Sequence, residues 1–303
     1  MTTSLPEQTQ TTSSLLQGSH IKHTFPRSGI FGVVLMVAAW IAAWNPQHPL
    51  SAFAFVFIWV GFIFTADGLN YLIHGVSYWH QRRKQFLLMF AFSIPVWWLF
   101  ELFNVRVQNW HYILDHPFGA SWNPITYNLM ASLCFSTVLP AVMEIQMLLE
   151  KIPLFHRTSL PEPHSAPKWL TLSLFTGGAA ALVLPLLWPR YFFGLIWLCV
   201  FALVDPLNEL AGRPSIAGRL ARGDWRFIWR LAFAALICGF FWEMWNFWSL
   251  PKWYYTIPYV GFGKVFEMPI LGYSGYLPFG LELYALYQFF LWLTRQQNDG
   301  LNI

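Results

Sequence analysis

The chain has 303 residues, of which 56% are hydrophobic and 11% charged, against roughly 25% charged in an ordinary soluble domain. This composition excludes a soluble globular domain and points to a membrane protein. The formal net charge of +4 does not mark a nucleic-acid surface, because the Lys and Arg residues are shared out among alternate loops.

Residues 1–29 are rich in Ser, Thr and Gln and lack an apolar core, so they do not form a cleavable secretory signal and are expected to be a disordered cytoplasmic tail. From there the apolar residues come in stretches of about 17 to 25, the length a helix needs to cross the roughly 30 Å hydrocarbon layer. Eight spans are expected, at about 30–46, 51–74, 85–104, 125–149, 169–187, 190–211, 226–249 and 269–294. The fold class is therefore an all-α polytopic membrane protein with about eight transmembrane helices. The stretch EKIPLFHRTSLPEPHSAPK (150–168) contains four prolines and reads as an exposed connector, and residues 295–303 form a C-terminal tail. Cys134, Cys199 and Cys238 all fall within predicted spans, which argues against a disulfide framework. The N-terminal tail, the 75–84 and 150–168 loops, the segment from Arg213 to Arg230 and the C-terminus carry 14 of the 18 Lys and Arg residues; only Arg106, Arg190, Lys252 and Lys264 fall on the other side. The positive-inside tendency then makes both termini cytoplasmic, and a cell inner membrane is the expected location.

The chain repeats itself. ADGLNYL (66–72) returns as VDPLNEL (204–210), and LPAVME (139–144) returns as LPFGLE (277–282), both at an offset of 138. Glu101, Asn104, Trp110 and Tyr112 of FELFNVRVQNWHY answer to Glu243, Asn246, Trp253 and Tyr255 of WEMWNFWSLPKWYY, 142 or 143 positions later. Two four-helix repeats, 30–149 and 169–294, are expected. An even number of spans gives both the same orientation, related by an axis along the membrane normal.

Seven of the 14 acidic residues fall in the predicted spans: Asp67, Glu101, Glu144, Asp205, Glu209, Glu243 and Glu282. Carboxyl groups in apolar surroundings cost several kcal/mol unless paired, hydrated or protonated, so those repeated in both halves are the candidate catalytic groups. Asn70 and Asn208 share a helix face with Asp67 and Asp205, as Asn104 and Asn246 do with Glu101 and Glu243, and are candidate ligand-binding groups. Pro140 and Pro278 sit one turn before Glu144 and Glu282, where each frees a backbone carbonyl. Asp205 precedes Pro206 and could cap a broken helix. The competing reading of all these groups is interhelical hydrogen-bond glue.

Trp98, Trp242 and Trp245, close to Glu101 and Glu243, are candidate walls of a ligand pocket, together with Trp97, Phe100, Phe103 and Phe241. Such ring faces can stabilise a developing cation. Trp110, Tyr112, Trp122, Trp253, Tyr254, Tyr255 and Tyr259 lie just beyond spans three and seven, where an interfacial aromatic belt is expected. His74 and His111 have no histidine counterpart in the second half, which disfavours a symmetric bis-His haem or metal site. No phosphate-binding glycine loop, zinc spacing or GxSxG elbow appears, and the cofactor stays open.

Three function classes remain: acid-catalysed modification of an isoprenoid-like lipid, a proton- or cation-coupled transporter or channel, and a subunit that binds pigments or other membrane proteins. The expected partner is a membrane lipid or hydrophobic small molecule, with a membrane-protein partner as an alternative, and no nucleic acid. Membrane-embedded carotenoid cyclases also combine duplicated helical units with acidic residues. Their adjacent acidic pair after a proline is absent here, where LPAVME and LPFGLE carry single glutamates, and the chain is not assigned to them. Large aromatics around Glu101 and Glu243 favour the lipid enzyme, since a hydrated ion path needs small and hydroxylic neighbours.

Overall fold

The computed structural model describes residues 23–115, 123–155 and 165–296. Trp122, most of the expected N-terminal tail, the centre of the 150–168 connector and nearly all of the C-terminal tail lie outside the described residues. The chain is mostly helical: α1 (Arg27–Ala43), α2 (Ser51–His74), α3 (Tyr78–Gln81), α4 (Arg83–Val107), α5 (Pro124–Phe135), α6 (Val138–Leu149), α7 (Lys168–Leu187), α8 (Pro189–Phe192), α9 (Ile196–Leu210), α10 (Ile216–Ala221), α11 (Trp225–Phe247) and α12 (Tyr276–Leu293). Four short strands accompany them: β1 (Trp110–Ile113), β2 (Lys252–Tyr255), β3 (Lys264–Val265) and β4 (Met268–Pro269).

Six stretches among the described residues are helical, long and apolar enough to cross a membrane: Ser51–His74, Arg83–Val107, Pro124–Leu149, Lys168–Leu187, Pro189–Leu210 and Trp225–Phe247. With the apolar composition they make this an integral membrane protein. The first and eighth expected spans are not among the six. Helix α1 has 17 residues, and α12 has 18 with Glu282 and Gln288 buried on it. Helix α12 starts at Tyr276 and not near 269, because Pro269 ends β4 and Gly272 and Gly275 fall in the 3-10 turn (Ile270–Gly275) that leads out of the β3–β4 hairpin.

The fourth span is broken at Ser136 and Thr137, between α5 and α6. Ser93 of α4 closes the break: its Oγ donates to the Phe135 carbonyl at 2.5 Å and accepts from the Leu139 N–H at 3.0 Å. Two backbone groups that the break would leave unpaired are thereby satisfied.

Helix α1 packs on α2 and α7 on α9; α6 lies against α2, α4 and α11, while α12 lies against α9, α11 and α4. The outer pairs meet through small residues. A Cβ at Gly32 of α1 would come within 2.7 Å of backbone atoms of Gly61 and Thr65 on α2, and one at Gly178 of α7 within 2.8 Å of the Ala202 backbone on α9. Close approach at small residues is how helices associate where lipid offers no hydrophobic drive. Between them lies the aromatic core, in which Trp59 faces Trp242 at 4.9 Å and Trp197 stacks on Phe100 at 5.0 Å between ring centroids.

Candidate functional site

Strands β1 and β2, about 140 residues apart in the chain, pair antiparallel with Trp110 opposite Tyr255, His111 opposite Tyr254 and Tyr112 opposite Trp253. Each strand is tied to the helix before it by an asparagine. Asn104 accepts from the Asn109 N–H at 2.8 Å and donates to the Trp110 carbonyl at 2.7 Å. Asn246 accepts from the Trp253 N–H and donates to its carbonyl, both at 2.8 Å. These amides fix where the next Trp and Tyr side chains point, so Asn104 and Asn246 are positioning groups.

The side chains so placed converge on two carboxyl groups. Glu101 Oε1 accepts from the Tyr112 hydroxyl at 2.5 Å and from the Trp97 and Trp110 indole N–H groups, each at 3.0 Å. Glu243 Oε1 accepts from the Tyr255 hydroxyl at 2.6 Å, the Tyr276 hydroxyl at 2.8 Å and the Trp253 N–H at 3.4 Å. Glu243 is fully buried, and its Oε2 has no partner among the described residues; Glu101 is half-buried. Burial first, and then the neighbouring glutamate, pushes the Tyr112 and Tyr255 phenols well above their ordinary value, so both stay protonated and act as donors.

Trp110, Tyr112, Trp253 and Tyr255 thus turn their polar ends inward onto carboxyl groups, a role that the interfacial-belt reading does not contain. Tyr276 is a functional candidate that the sequence pattern does not single out. At the offset of 138 it aligns with Val138, and at 142 Trp97 aligns with Gly239. A Cβ at Gly239 would run into the Tyr276 ring. The third donor to the carboxyl therefore comes from α4 for Glu101 and from α12 for Glu243, where Gly239 leaves room for the Tyr276 ring.

A cavity of about 140 Å³ lies against both donor sets. Trp97, Tyr112, Tyr127, Phe135, Trp242, Trp253, Tyr255 and Tyr276 line it, with Phe55, Met130 and Cys134. Neither glutamate forms its wall, so the phenols and indoles stand between the carboxyls and anything in the cavity. Lys252, the one charged lining residue among those described, is engaged with Glu267 and donates to the Phe247 carbonyl. Trp242 lines the cavity. Trp98 instead donates to Ser132 Oγ at 3.0 Å, and Trp245, 1% exposed, packs against Trp59 and Phe62; neither reaches the cavity.

The other four acids lie elsewhere. Asp205 Oδ1 and Oδ2 accept from the Ile216 and Ala217 N–H groups at 2.7 and 2.8 Å, at the start of α10. Asp67 accepts from Ser77 Oγ at 2.9 Å and the Trp79 N–H at 2.8 Å, at the start of α3. Both acids therefore cap the loop that follows their own span. Ser77 and Ser215, which N-cap α3 and α10, are also 138 apart, a match visible in GVSYWH and RPSIAG once N-caps are sought. Glu144 and Glu282 are fully buried. Asn70 donates to Glu144 Oε2 at 2.7 Å, whereas Asn208 donates to the Ala285 carbonyl and Glu282 accepts from the Val200 N–H at 3.2 Å.

Among the described residues, no group of three or more His, Cys, Asp or Glu side chains is placed to hold a metal ion. The chain matches no family model, no curated protein and no solved structure.

Proposed function

We propose that this protein binds the end of an isoprenoid-like lipid in the aromatic cavity and modifies it by proton transfer, with Glu243 as the acid and Glu101 as the base. One observation carries the reading: two of the three aromatic donors to Glu101, Trp97 and Tyr112, and all three donors to Glu243, Trp253, Tyr255 and Tyr276, wall the same cavity. A proton leaves Glu243 through the Tyr255 or Tyr276 hydroxyl and bonds to one carbon of a C=C. The positive charge on the neighbouring carbon faces Trp97, Trp242 and Phe55. Loss of a proton from an adjacent carbon through Tyr112 to Glu101 restores a neutral product. The substrate is isomerised or cyclised with no co-reactant, and exchange with water resets both carboxyls. A transport reading is weaker at this site, because the carboxyls are enclosed by indoles and phenols and not by the small hydroxylic residues of a hydrated path.

The test is purification in mild detergent, mass spectrometry of what copurifies, and incubation of that compound with the protein in D2O. A polyprenyl or polyene compound that gains one solvent deuterium per turnover is the expected result. An empty protein that takes up ions with protons would overturn the proposal in favour of transport.

We also infer eight spans arranged as two parallel four-helix repeats, 30–149 and 169–294 joined by the 150–168 connector, in a cell inner membrane with both termini cytoplasmic. The contacts support the repeat. Trp59 with Trp242 is mirrored by Trp197 with Phe100, and the β1–β2 register sets His111 opposite its own counterpart Tyr254, as a two-fold axis requires. A cysteine placed in the 213–225 loop should be protected from a membrane-impermeant thiol reagent added outside intact cells. Labelling there would reverse the orientation.

A further inference from the structure

At the end of α2 remote from the aromatic cavity, hydrogen-bonding side chains lead inward from the surface. His80 has a 27% exposed side chain, and its Nδ1 lies 2.9 Å from Ser77 Oγ. Ser77, fully buried, donates to Asp67 Oδ1 at 2.9 Å. Asp67 and Glu144, both 0% exposed, are neighbours where α2 packs on α6, and Asn70, one turn after Asp67, bonds to Glu144. Two neighbouring carboxylates repel, and a proton on either one relieves the repulsion. Glu144 Oε2 accepts from Asn70 Nδ2 at 2.7 Å, but Glu144 Oε1 and Asn70 Oδ1 are buried with no partner among the described residues. Both are acceptors lacking a donor, and a proton on Glu144 turns its spare oxygen into one.

The aligned positions of the second half lack such a series. Both oxygens of Asp205 are taken by backbone N–H groups, which do not give up their protons. The Ser215 hydroxyl is turned to Glu209, and Gly218 stands where His80 does. Asn208 and Glu282 also each have a spare buried oxygen, but they bond to backbone groups and not to each other.

We propose that His80, Ser77 and Asp67 form a proton-conducting route that loads Glu144 from the basic face of the protein. The imidazolium Nδ1–H gives its proton to Ser77 Oγ as the Ser77 hydroxyl proton passes to Asp67 Oδ1. Asp67 then passes a proton to Glu144, leaving His80 neutral, Ser77 and Asp67 as they began, and Glu144 uncharged. Tyr78 and Arg230 are the other titratable groups facing the inner end, with His74 and Glu150 4.0 Å apart beyond them. The route stands whether or not the cavity binds a lipid, since it shares no residue with the cavity wall.

Infrared spectroscopy of the purified full-length protein tests this through the C=O stretch of protonated carboxyl groups. A band lost in Glu144→Gln should shift soon after transfer to D2O, while any band lost in Glu282→Gln shifts at least roughly tenfold more slowly. Ser77→Ala and the surface change His80→Gln should each slow the Glu144 band by a similar factor, and Ser77→Thr, which keeps a hydroxyl and the helix cap, should not. The route is overturned by the absence of a Glu144 band, or by equal exchange in Ser77→Thr, Ser77→Ala and His80→Gln.

Discussion

Glu243→Gln is expected to lower turnover of a cavity-bound polyprenyl or polyene compound by about 10²–10⁴-fold, the usual contribution of a positioned general acid, with thermal stability close to wild type. Gln keeps the size of Glu and an oxygen to accept from Tyr255 and Tyr276, so the contacts at 2.6 and 2.8 Å survive. What it loses is the titrating proton. Glu101→Gln should cost less: both glutamates carry three donors on one oxygen, but Glu101 is half-buried, which suits an ionised base, whereas Glu243 is 0% exposed with a spare buried oxygen. Tyr255→Phe and Tyr276→Phe separate the two routes for the proton, since each removes one hydroxyl between Glu243 and the cavity and leaves the ring. Rates of deuterium incorporation, measured beside the midpoint of thermal unfolding, decide the matter. A stable Glu243→Gln protein with full turnover would return Glu243 to interhelical glue.

The residues that carry this chemistry were only partly legible in the sequence. The intramembrane acids stand out because a carboxyl in an apolar run is conspicuous, and the offset of 138 pairs Asp67 with Asp205 and Glu144 with Glu282. Their separation into loop caps and cavity acids was not legible. Asp67 and Asp205 bond to groups 10 to 12 residues further along, beyond the span that helical periodicity can read. The pairing of β1 with β2 was hidden for a related reason. Two four-residue strands that meet across about 140 residues leave no periodic signal, so Tyr112 and Tyr255 looked like residues at the membrane interface. Tyr276 was invisible because its aligned residue is Val138, and only the space left by Gly239 explains a ring there. The apolar lengths identified the membrane-crossing helices well in the middle of the chain and less well where Pro269, Gly272 and Gly275 delay the start of α12.

Asp205→Ala is expected to destabilise the protein by about 3–5 kcal/mol, because it removes two charge-assisted hydrogen bonds and strands their donors. Ile216 and Ala217 are 1% and 0% exposed, so neither N–H can turn to water when the carboxylate is gone. Ser215 cannot take over: its hydroxyl already accepts from the Gly218 N–H and donates to Glu209. Asp205→Asn should fall between the two, since one amide oxygen can serve one of the N–H groups while the NH2 faces the other. Asp67→Ala should cost less than Asp205→Ala. The Ser77 hydroxyl, 2.9 Å from His80 Nδ1, has a second acceptor to turn to, and Trp79 is only half-buried. Thermal unfolding in detergent, followed by the loss of the monodisperse elution peak, should place Asp205→Ala lowest, with a midpoint roughly 10 °C below wild type, and Asp205→Asn and Asp67→Ala above it. An Asp205→Ala protein that unfolds at the wild-type temperature but loses turnover would instead put this carboxylate among the reacting groups, and the cap would then be no more than its resting position.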